Sequence, residues 1–295
     1  MSTLLWVFLI LLVGLVTYLW QLHVRLIRNL DYNQIVRDKV FQNGGKGYLN
    51  VGLWNTGACG LATAQENMYR MIFSLAELDT HQVVLEIGGG TAEHYLLWQA
   101  MGLQSRMTCW EPHTLPHAAV RSRPNLVQLQ KHAAHDLCAA ATYDKIICVE
   151  SAFHYPDRPT FFQRCFTALK PGGVLILTDI VLPTHSELPQ TQLERWYARR
   201  LGAYYGTHIL KIHKTNQIDK DTYYAQLYAC RFRSIYVVDL SEQTFYTFYG
   251  SIQMHVRRQN TFTNFPKWTE DAHHRLCGTM CRVKPFRYIL AICVK

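Results

Sequence analysis

Gly88, Gly89 and Gly90 follow the apolar run VVLEI and precede residues of helix-forming type. A buried strand that meets three glycines must turn tightly, and the bare backbone lets a ligand approach where a Cβ would block it. Acids recur at the ends of neighbouring apolar runs: Glu86 lies inside VVLEI, Glu111 closes RMTCWE and Asp179 sits in VLILTDI. Glu111 follows the glycines by about 20 residues, the spacing at which a nucleotide-type fold reads a ribose diol. A second cluster, His273, Cys277 and Cys281, recurs every fourth residue and would share a helix face. Three ligands beside Gly278 and no fourth describe a packed helix better than a metal site, so no metal is expected.

Strands and helices alternate around these residues. The expected strands are VVLEI, RMTCWE, LVQLQ, YDKIICVE and VLILTDI, with helices at residues 92–101, 116–122 and 160–169 between them. That order predicts βαβ units and an α/β, doubly wound, mostly parallel sheet, whose strand carboxyl ends line one crevice. Lys170-Pro171-Gly172-Gly173 should stop a helix and lead into the fifth strand. A helix at 61–78 places Leu61, Met68, Met71, Ile72 and Leu75 at helical spacing for packing on the sheet. Beyond residue 183 the pattern turns aromatic and basic, then returns to a helix near 221–229 and to the strands SIYVVDL and PFRYILAICV.

The chain has 295 residues, of which 49% are hydrophobic and 17% charged, so a large core is available and disorder is not expected. Its net charge of +9 suits an anionic surface or a phosphorylated ligand. No nucleic-acid motif accompanies the charge, so a nucleic-acid partner is not expected. Nine cysteines without framework spacing fit reduced, structural thiols. Residues 4–20 are apolar and uncharged, with Arg25 and Arg28 following. They predict an N-terminal transmembrane helix, single-pass membrane localisation and a catalytic domain facing the cytoplasm. The expected division is 1–22 anchor, 23–80 helical lead-in, 81–182 cofactor-binding core, 183–233 lid and helix, and 234–295 closing strands with a second lid segment.

A dinucleotide fingerprint needs glycine at position 93, where this chain has Glu93. A carboxylate there sits badly beside a pyrophosphate, so a nucleoside ligand without phosphates fits better. LEIGGGTAEH resembles the cofactor loop of class I S-adenosylmethionine-dependent methyltransferases, and residues 143–180, YDKIICVESAFHYPDRPTFFQRCFTALKPGGVLILTDI, resemble their fourth strand, helix and LKPGG turn. YLNVGLWN with ATAQENM is similar to the lead-in of the small-molecule group, which includes sugar O-methyltransferases and, more distantly, tocopherol and sterol C-methyltransferases. NQIDKDTYYAQLYACRF is similar to their helix before the sixth strand.

The resemblance implies a seven-stranded Rossmann-like methyltransferase sheet with its last strand antiparallel, helical lids at about 183–217 and 242–284, and S-adenosylmethionine as cofactor. It implies that Gly88, Gly89 and Gly90 cradle the methionine moiety with Glu86 near the amino group, and that Glu111 takes the ribose hydroxyls. His132 and Ala133 would face adenine, Glu150 and Ser151 would close the pocket through backbone contacts, and Trp54 and Gln65 would cover it. The family's Gly-Asp-Ala is here Lys131-His132-Ala133, so His132 or Asp136 must replace the missing carboxylate. His154 matches a general base and Asp179 its carboxylate partner; the alternative is that His154 only lines the acceptor pocket. The expected function is a membrane-anchored methyltransferase acting on a lipophilic or amphiphilic small molecule, with O-methylation favoured. Its rivals are C-methylation of an isoprenoid or sterol-like alkene and a non-catalytic membrane-bound scaffold.

Overall fold

The computed structural model describes residues 47–55, 60–113, 116–208, 210–251 and 278–295, with the single positions 14, 18 and 275. Its centre is a seven-stranded sheet in the order β3-β2-β1-β4-β5-β7-β6. The strands are β1 (Val83–Ile87), β2 (Arg106–Trp110), β3 (Gln128–Gln130), β4 (Tyr143–Val149), β5 (Leu169–Val181), β6 (Ser234–Asp239) and β7 (Arg287–Val294). The first five pair in parallel, and β7 runs antiparallel to both β5 and β6. The chain leaves β1 towards β2 and β3, then returns to lay β4 on the other side of β1. That reversal opens a crevice at the carboxyl ends of β1 and β4, where ligands bind in open α/β sheets.

Among the described residues, the helices that clothe the sheet include α1 (Leu61–Ala76), α2 (His94–Ala100), α3 (Ala118–Arg121), α4 (Arg158–Ala168), α5 (Gln192–His208) and α6 (Lys220–Ala229). Because successive strand residues point to opposite faces, neighbouring residues join separate cores. Val84, Ile147 and Ile176 pack with Met68 and Ile72 of α1 and Tyr95 and Trp98 of α2. Leu85, Ile146, Leu175 and Leu177 pack with Phe162 of α4 and with Tyr223 and Leu227 of α6. Large side chains such as Trp98 and Phe162, fully buried here, each contribute about 1.5–3 kcal/mol by leaving water.

Most expected elements differ from the observed ones only at their ends. The Lys170–Gly173 turn is wider than expected: β4–β5 pairing jumps from Tyr143↔Leu169 to Lys145↔Val174, so extra β5 residues bulge out of the ladder. Gly172 takes φ +77 within that bulge.

The expected membrane anchor is corrected. Among the described residues no helix is long and apolar enough to cross a membrane, so neither the transmembrane helix nor the single-pass placement holds. The longest described helix, α5, carries Glu194, Arg195, Arg199 and Arg200, charges that a hydrocarbon core would have to desolvate. Residues 4–20, on which the expectation rested, lie outside the described residues apart from Gly14 and Tyr18. His273 and Cys277 of the second cluster also lie outside them, while the Cys281 thiol faces the Tyr246 carbonyl at 3.4 Å.

Candidate active site

β1 ends where Gly88 takes φ +80 and its N–H donates to the Trp110 carbonyl at 2.8 Å. A Cβ on Gly88 would stand 2.0 Å from Ser151 Oγ, and one on Gly89 2.3 Å from Cys109 Sγ. The turn is therefore pressed between the ends of β2 and β4, and only glycine fits at either position. The Ala92 N–H closes it on the Gly89 carbonyl at 2.9 Å.

Two carboxylates flank this turn. Glu86 is buried, and its Oε2 accepts from the Tyr95 hydroxyl at 2.6 Å and pairs with His94 Nε2 at 2.9 Å. The His94 ring stacks on Tyr69 with centroids 4.2 Å apart. Burial first, and Glu86 next, push the Tyr95 hydroxyl and the Cys109 thiol well above their ordinary pKa values. Glu86 is thus a buried acceptor directly beneath Gly89. Glu111 accepts from the Gly90 N–H at 3.0 Å through Oε2 and from the His113 N–H at 2.9 Å through Oε1. Two acceptor oxygens held side by side at the end of β2 suit a vicinal diol.

The end of β2 gathers both residues that sequence left as alternatives for the adenine contact. The His132 ring lies 4.9 Å from Trp110, with Nδ1 3.8 Å from Asp136. Asp136 in turn accepts from the Ala133 N–H at 2.8 Å. Trp110 itself is anchored through Nε1 to Gln130 at 2.8 Å.

The lead-in segment spans the crevice. Thr91 Oγ1 donates to the Gly47 carbonyl at 2.8 Å, and the Gly47 N–H donates to Glu93. The Val51 N–H then meets both Glu150 oxygens, at 2.9 and 3.2 Å, and the Trp54 N–H donates to the Gln243 carbonyl at 2.6 Å. Gln65 braces the lead-in segment. It is buried in α1, and its Nε2 donates to the Tyr48 and Asn50 carbonyls at 3.0 and 2.7 Å. Trp54 is half-buried and ties its indole N–H back to the Val51 carbonyl at 3.0 Å.

Glu150 takes part through its side chain, where sequence foresaw only backbone. Its φ of +49 breaks β4, and its carboxylate accepts from the Tyr288 hydroxyl at 2.8 Å as well as from Val51. Burial pushes its pKa up to about 7, against the hydrogen bonds from Tyr288 and Val51. Ser151 Oγ lies 2.7 Å from the Tyr155 hydroxyl and abuts Gly88.

His154 and Asp179 are not brought together. Asp179 is fully buried, and its Oδ2 receives Arg158 Nη1 at 3.1 Å while Oδ1 receives the Ile180 N–H at 2.8 Å. Thr178 and Asp179 project to opposite faces of β5: the Thr178 hydroxyl accepts from the Glu150 N–H at 3.0 Å, and Asp179 turns towards α4. His154 Nδ1 instead faces the Lys211 carbonyl at 3.2 Å. A carbonyl only accepts, so Nδ1 carries the hydrogen and the neutral ring presents its lone pair at Nε2. Burial lowers the His154 pKa below its usual value, which keeps the ring neutral near pH 7. Lys211 holds φ +53, a strained conformation for a residue with a Cβ. Sequence missed Arg158, Lys211, Asn216 and Tyr288; the one available signal was Asp179 itself, a charge within an apolar strand that required a buried cation.

Residues 64–218, just over half of the chain, match the family described as "Methyltransferase domain". The chain belongs to that family. Over 141 residues the methyltransferase is 32% identical to erythromycin 3''-O-methyltransferase of Saccharopolyspora erythraea, covering 45% of this chain and 46% of that protein. Over 154 residues it is 28% identical to O-methyltransferase resE of Aspergillus sclerotiorum, covering 49% and 58%. The methyltransferase thus spans about half the length of these relatives. In structure it resembles a geranyl diphosphate methyltransferase in complex with GPP and sinefungin, with TM-score 0.65, 12% identity and 92% and 97% of the two chains covered. It also resembles the cyclopropane synthase MmaA2 of Mycobacterium tuberculosis, with TM-score 0.64, 17% identity and 84% and 90% covered. These likenesses show the class I fold.

S-adenosylmethionine is the cofactor of this fold, and the methyltransferase's residues fit it. A glycine turn admits no Cβ, buried and half-buried carboxylates stand where an ammonium and a ribose diol need acceptors, and Trp110 with His132 offers an aromatic slot. Sequence-named Gly88, Gly89, Gly90, Glu86, Glu111, His132, Ala133, Glu150 and Ser151 all gather around this one crevice.

Proposed function

We propose that the methyltransferase transfers a methyl group to a hydroxyl of a lipophilic or amphiphilic small molecule, with His154 as general base. The observation that carries this reading is the His154 Nδ1–Lys211 carbonyl contact at 3.2 Å. It leaves Nε2 as the basic atom on a ring that burial keeps neutral. S-adenosylmethionine, held by Glu86, Gly88, Gly89, Gly90 and Glu111, supplies an electrophilic methyl group. As the acceptor oxygen takes the methyl carbon, the sulfonium S–CH3 bond would break with its electron pair left on the sulfur of S-adenosylhomocysteine, and the hydroxyl proton would pass to His154 Nε2. Glu150 and the lead-in segment keep water from the crevice, and placing the two reactants side by side supplies most of the rate.

The preference for an apolar acceptor rests on the buried aromatic cluster packed beside Glu150. Phe245 stacks on Tyr249 at 5.6 Å and meets Tyr288 edge-on at 5.7 Å, and Tyr288 reaches Glu150 through its hydroxyl. The curated relatives named as O-methyltransferases support oxygen as the target.

His154→Gln tests the base. Loss of transfer with intact S-adenosylhomocysteine binding is the expected result. Retained transfer would remove the base and favour an acceptor that loses no hydroxyl proton, such as an alkene carbon.

A further inference from the structure

His154 ends a single helical turn, Ala152–His154, and the carbonyls on either side of it are held by one amide. Asn216 Nδ2 donates to the Phe153 carbonyl at 3.1 Å and to the Tyr155 carbonyl at 2.6 Å. Both partners can only accept, so the orientation of the Asn216 amide is fixed. Two further bonds run between the same stretches: the His213 N–H donates to the Phe153 carbonyl at 3.1 Å, and Thr215 Oγ1 to the Pro156 carbonyl at 2.9 Å. The loop carrying Lys211, His213, Thr215 and Asn216 is therefore stitched to the turn carrying His154. Lys211 of that loop presents the carbonyl that His154 Nδ1 meets.

The loop is held in turn from the protein interior. The Asn216 carbonyl accepts from Arg158 Nη2 at 3.3 Å, and Arg158 Nη1 reaches Asp179 at 3.1 Å. Arg158, Asp179 and Asn216 are all 0% exposed. The Arg158 guanidinium also lies over the Tyr223 ring, 4.7 Å from its centroid. A fully buried ion pair repays its desolvation poorly, and apolar replacements of similar volume are often no less stable. This pair joins two rigid elements, the first turn of α4 and the end of β5, to the loop that touches the imidazole.

We propose that Asp179, Arg158 and Asn216 form a positioning relay that sets the tautomer and placement of the His154 ring, with Asp179 acting through Arg158 and Asn216 and not by contact with the imidazole. The relay deepens the reading of His154 as general base and rests on it. A hydroxyl acceptor needs the lone pair at Nε2, and that requires the hydrogen at Nδ1 to stay on the Lys211 carbonyl. Asn216 holds the two halves of this contact in register, Arg158 holds Asn216, and Asp179 neutralises and orients Arg158. None of the three is a catalytic residue, because none touches the reacting atoms.

The test reads the imidazole itself. In the full chain labelled with 15N-histidine, multiple-bond proton–nitrogen spectra report which nitrogen of each ring is protonated, and His154→Gln assigns the signal. The wild-type protein should show His154 protonated at Nδ1. Asn216→Ala and Asp179→Asn should each turn that signal into a mixture of tautomers, while S-adenosylhomocysteine affinity stays within about twofold. Asp179→Asn keeps the side-chain shape and is read alone if Asn216→Ala does not fold. A His154 signal unchanged in Asp179→Asn, with only a lower unfolding temperature, would make the cluster a structural clamp and overturn the relay. That failure is distinct from failure of the base: His154→Gln with full transfer would remove the base role and leave the tautomer result standing.

Discussion

Val51 and Glu150 lie 99 residues apart in sequence and are joined by a backbone N–H that meets both carboxylate oxygens, at 2.9 and 3.2 Å. The lead-in segment is thereby latched to the end of β4, across the crevice that opens between β1 and β4. Tyr288 of β7 reaches the same carboxylate, so three distant parts of the chain meet at one group.

That latch is pH-dependent. Burial raises the Glu150 pKa from the usual carboxylate range to about 7, so the folded protein holds this proton more tightly than the unfolded chain does. Its contribution is fully present below the unfolded value and fades as pH rises through about 7. Glu150→Gln should remove that dependence. Compared with wild type, its relative stability should rise by on the order of 1–3 kcal/mol between pH 5 and pH 8. Thermal or urea unfolding across that range is the check, and parallel curves would refute it.

The glycine turn gives a steric prediction with an internal control. Gly89→Ala places a Cβ 2.3 Å from Cys109 Sγ, whereas Gly102, at φ +95, has nothing within 4 Å of an added Cβ. Gly102→Ala should cost about 1 kcal/mol of stability and leave cofactor affinity unchanged. Gly89→Ala should abolish S-adenosylhomocysteine binding in calorimetry. Equal binding by the two variants would show that the turn is not the cofactor cradle.

Gln65 separates a brace from a cover. Gln65→Ala removes two hydrogen bonds and leaves the Tyr48 and Asn50 carbonyls without them, a loss of about 1–3 kcal/mol. The expected result is a lower unfolding temperature and faster release of S-adenosylhomocysteine, measured by stopped-flow. A variant of unchanged stability with altered affinity alone would restore Gln65 as a direct cofactor contact.

His154→Gln should lower the rate of methyl transfer by about 10²–10⁴-fold, the usual worth of a general base. Wild-type turnover should fall on the acid side as the ring protonates, at a pH below the ordinary histidine value because burial depresses it. A pH–rate profile checks the acid limb.

The parts of this architecture that sequence disclosed are those written in local chemistry. VVLEI followed by three glycines fixes a strand and a tight turn wherever it occurs, and the alternation of elements after it prescribes the parallel sheet. Glu111 was legible for the same reason, since its distance from the glycines follows from one βαβ unit. The Asp179 side chain was not. Period-two alternation sends it to the face opposite Thr178, and its partner Arg158 is a wholly buried guanidinium that no local rule anticipates. Glu150 was placed correctly at the end of β4, but its left-handed backbone, and hence its side-chain reach to Val51, depends on contacts remote in sequence. The Gln65 bonds to the Tyr48 and Asn50 carbonyls were not legible, because spacing fixes a helix face and not the carbonyls above it. The apolar run at residues 4–20, followed by Arg25 and Arg28, suggested a bilayer, yet among the described residues no helix is long and apolar enough to cross one.

The central claim is methyl transfer to a small molecule from the crevice at Gly88, Gly89 and Gly90. It is tested most directly by incubating the full chain with methyl-labelled S-adenosylmethionine and a total small-molecule extract, with Gly89→Asp as the blank. The account predicts label in an organic-extractable, low-mass product that depends on the wild-type protein and is absent from the blank. Equal labelling by Gly89→Asp, or label confined to macromolecules, would contradict it.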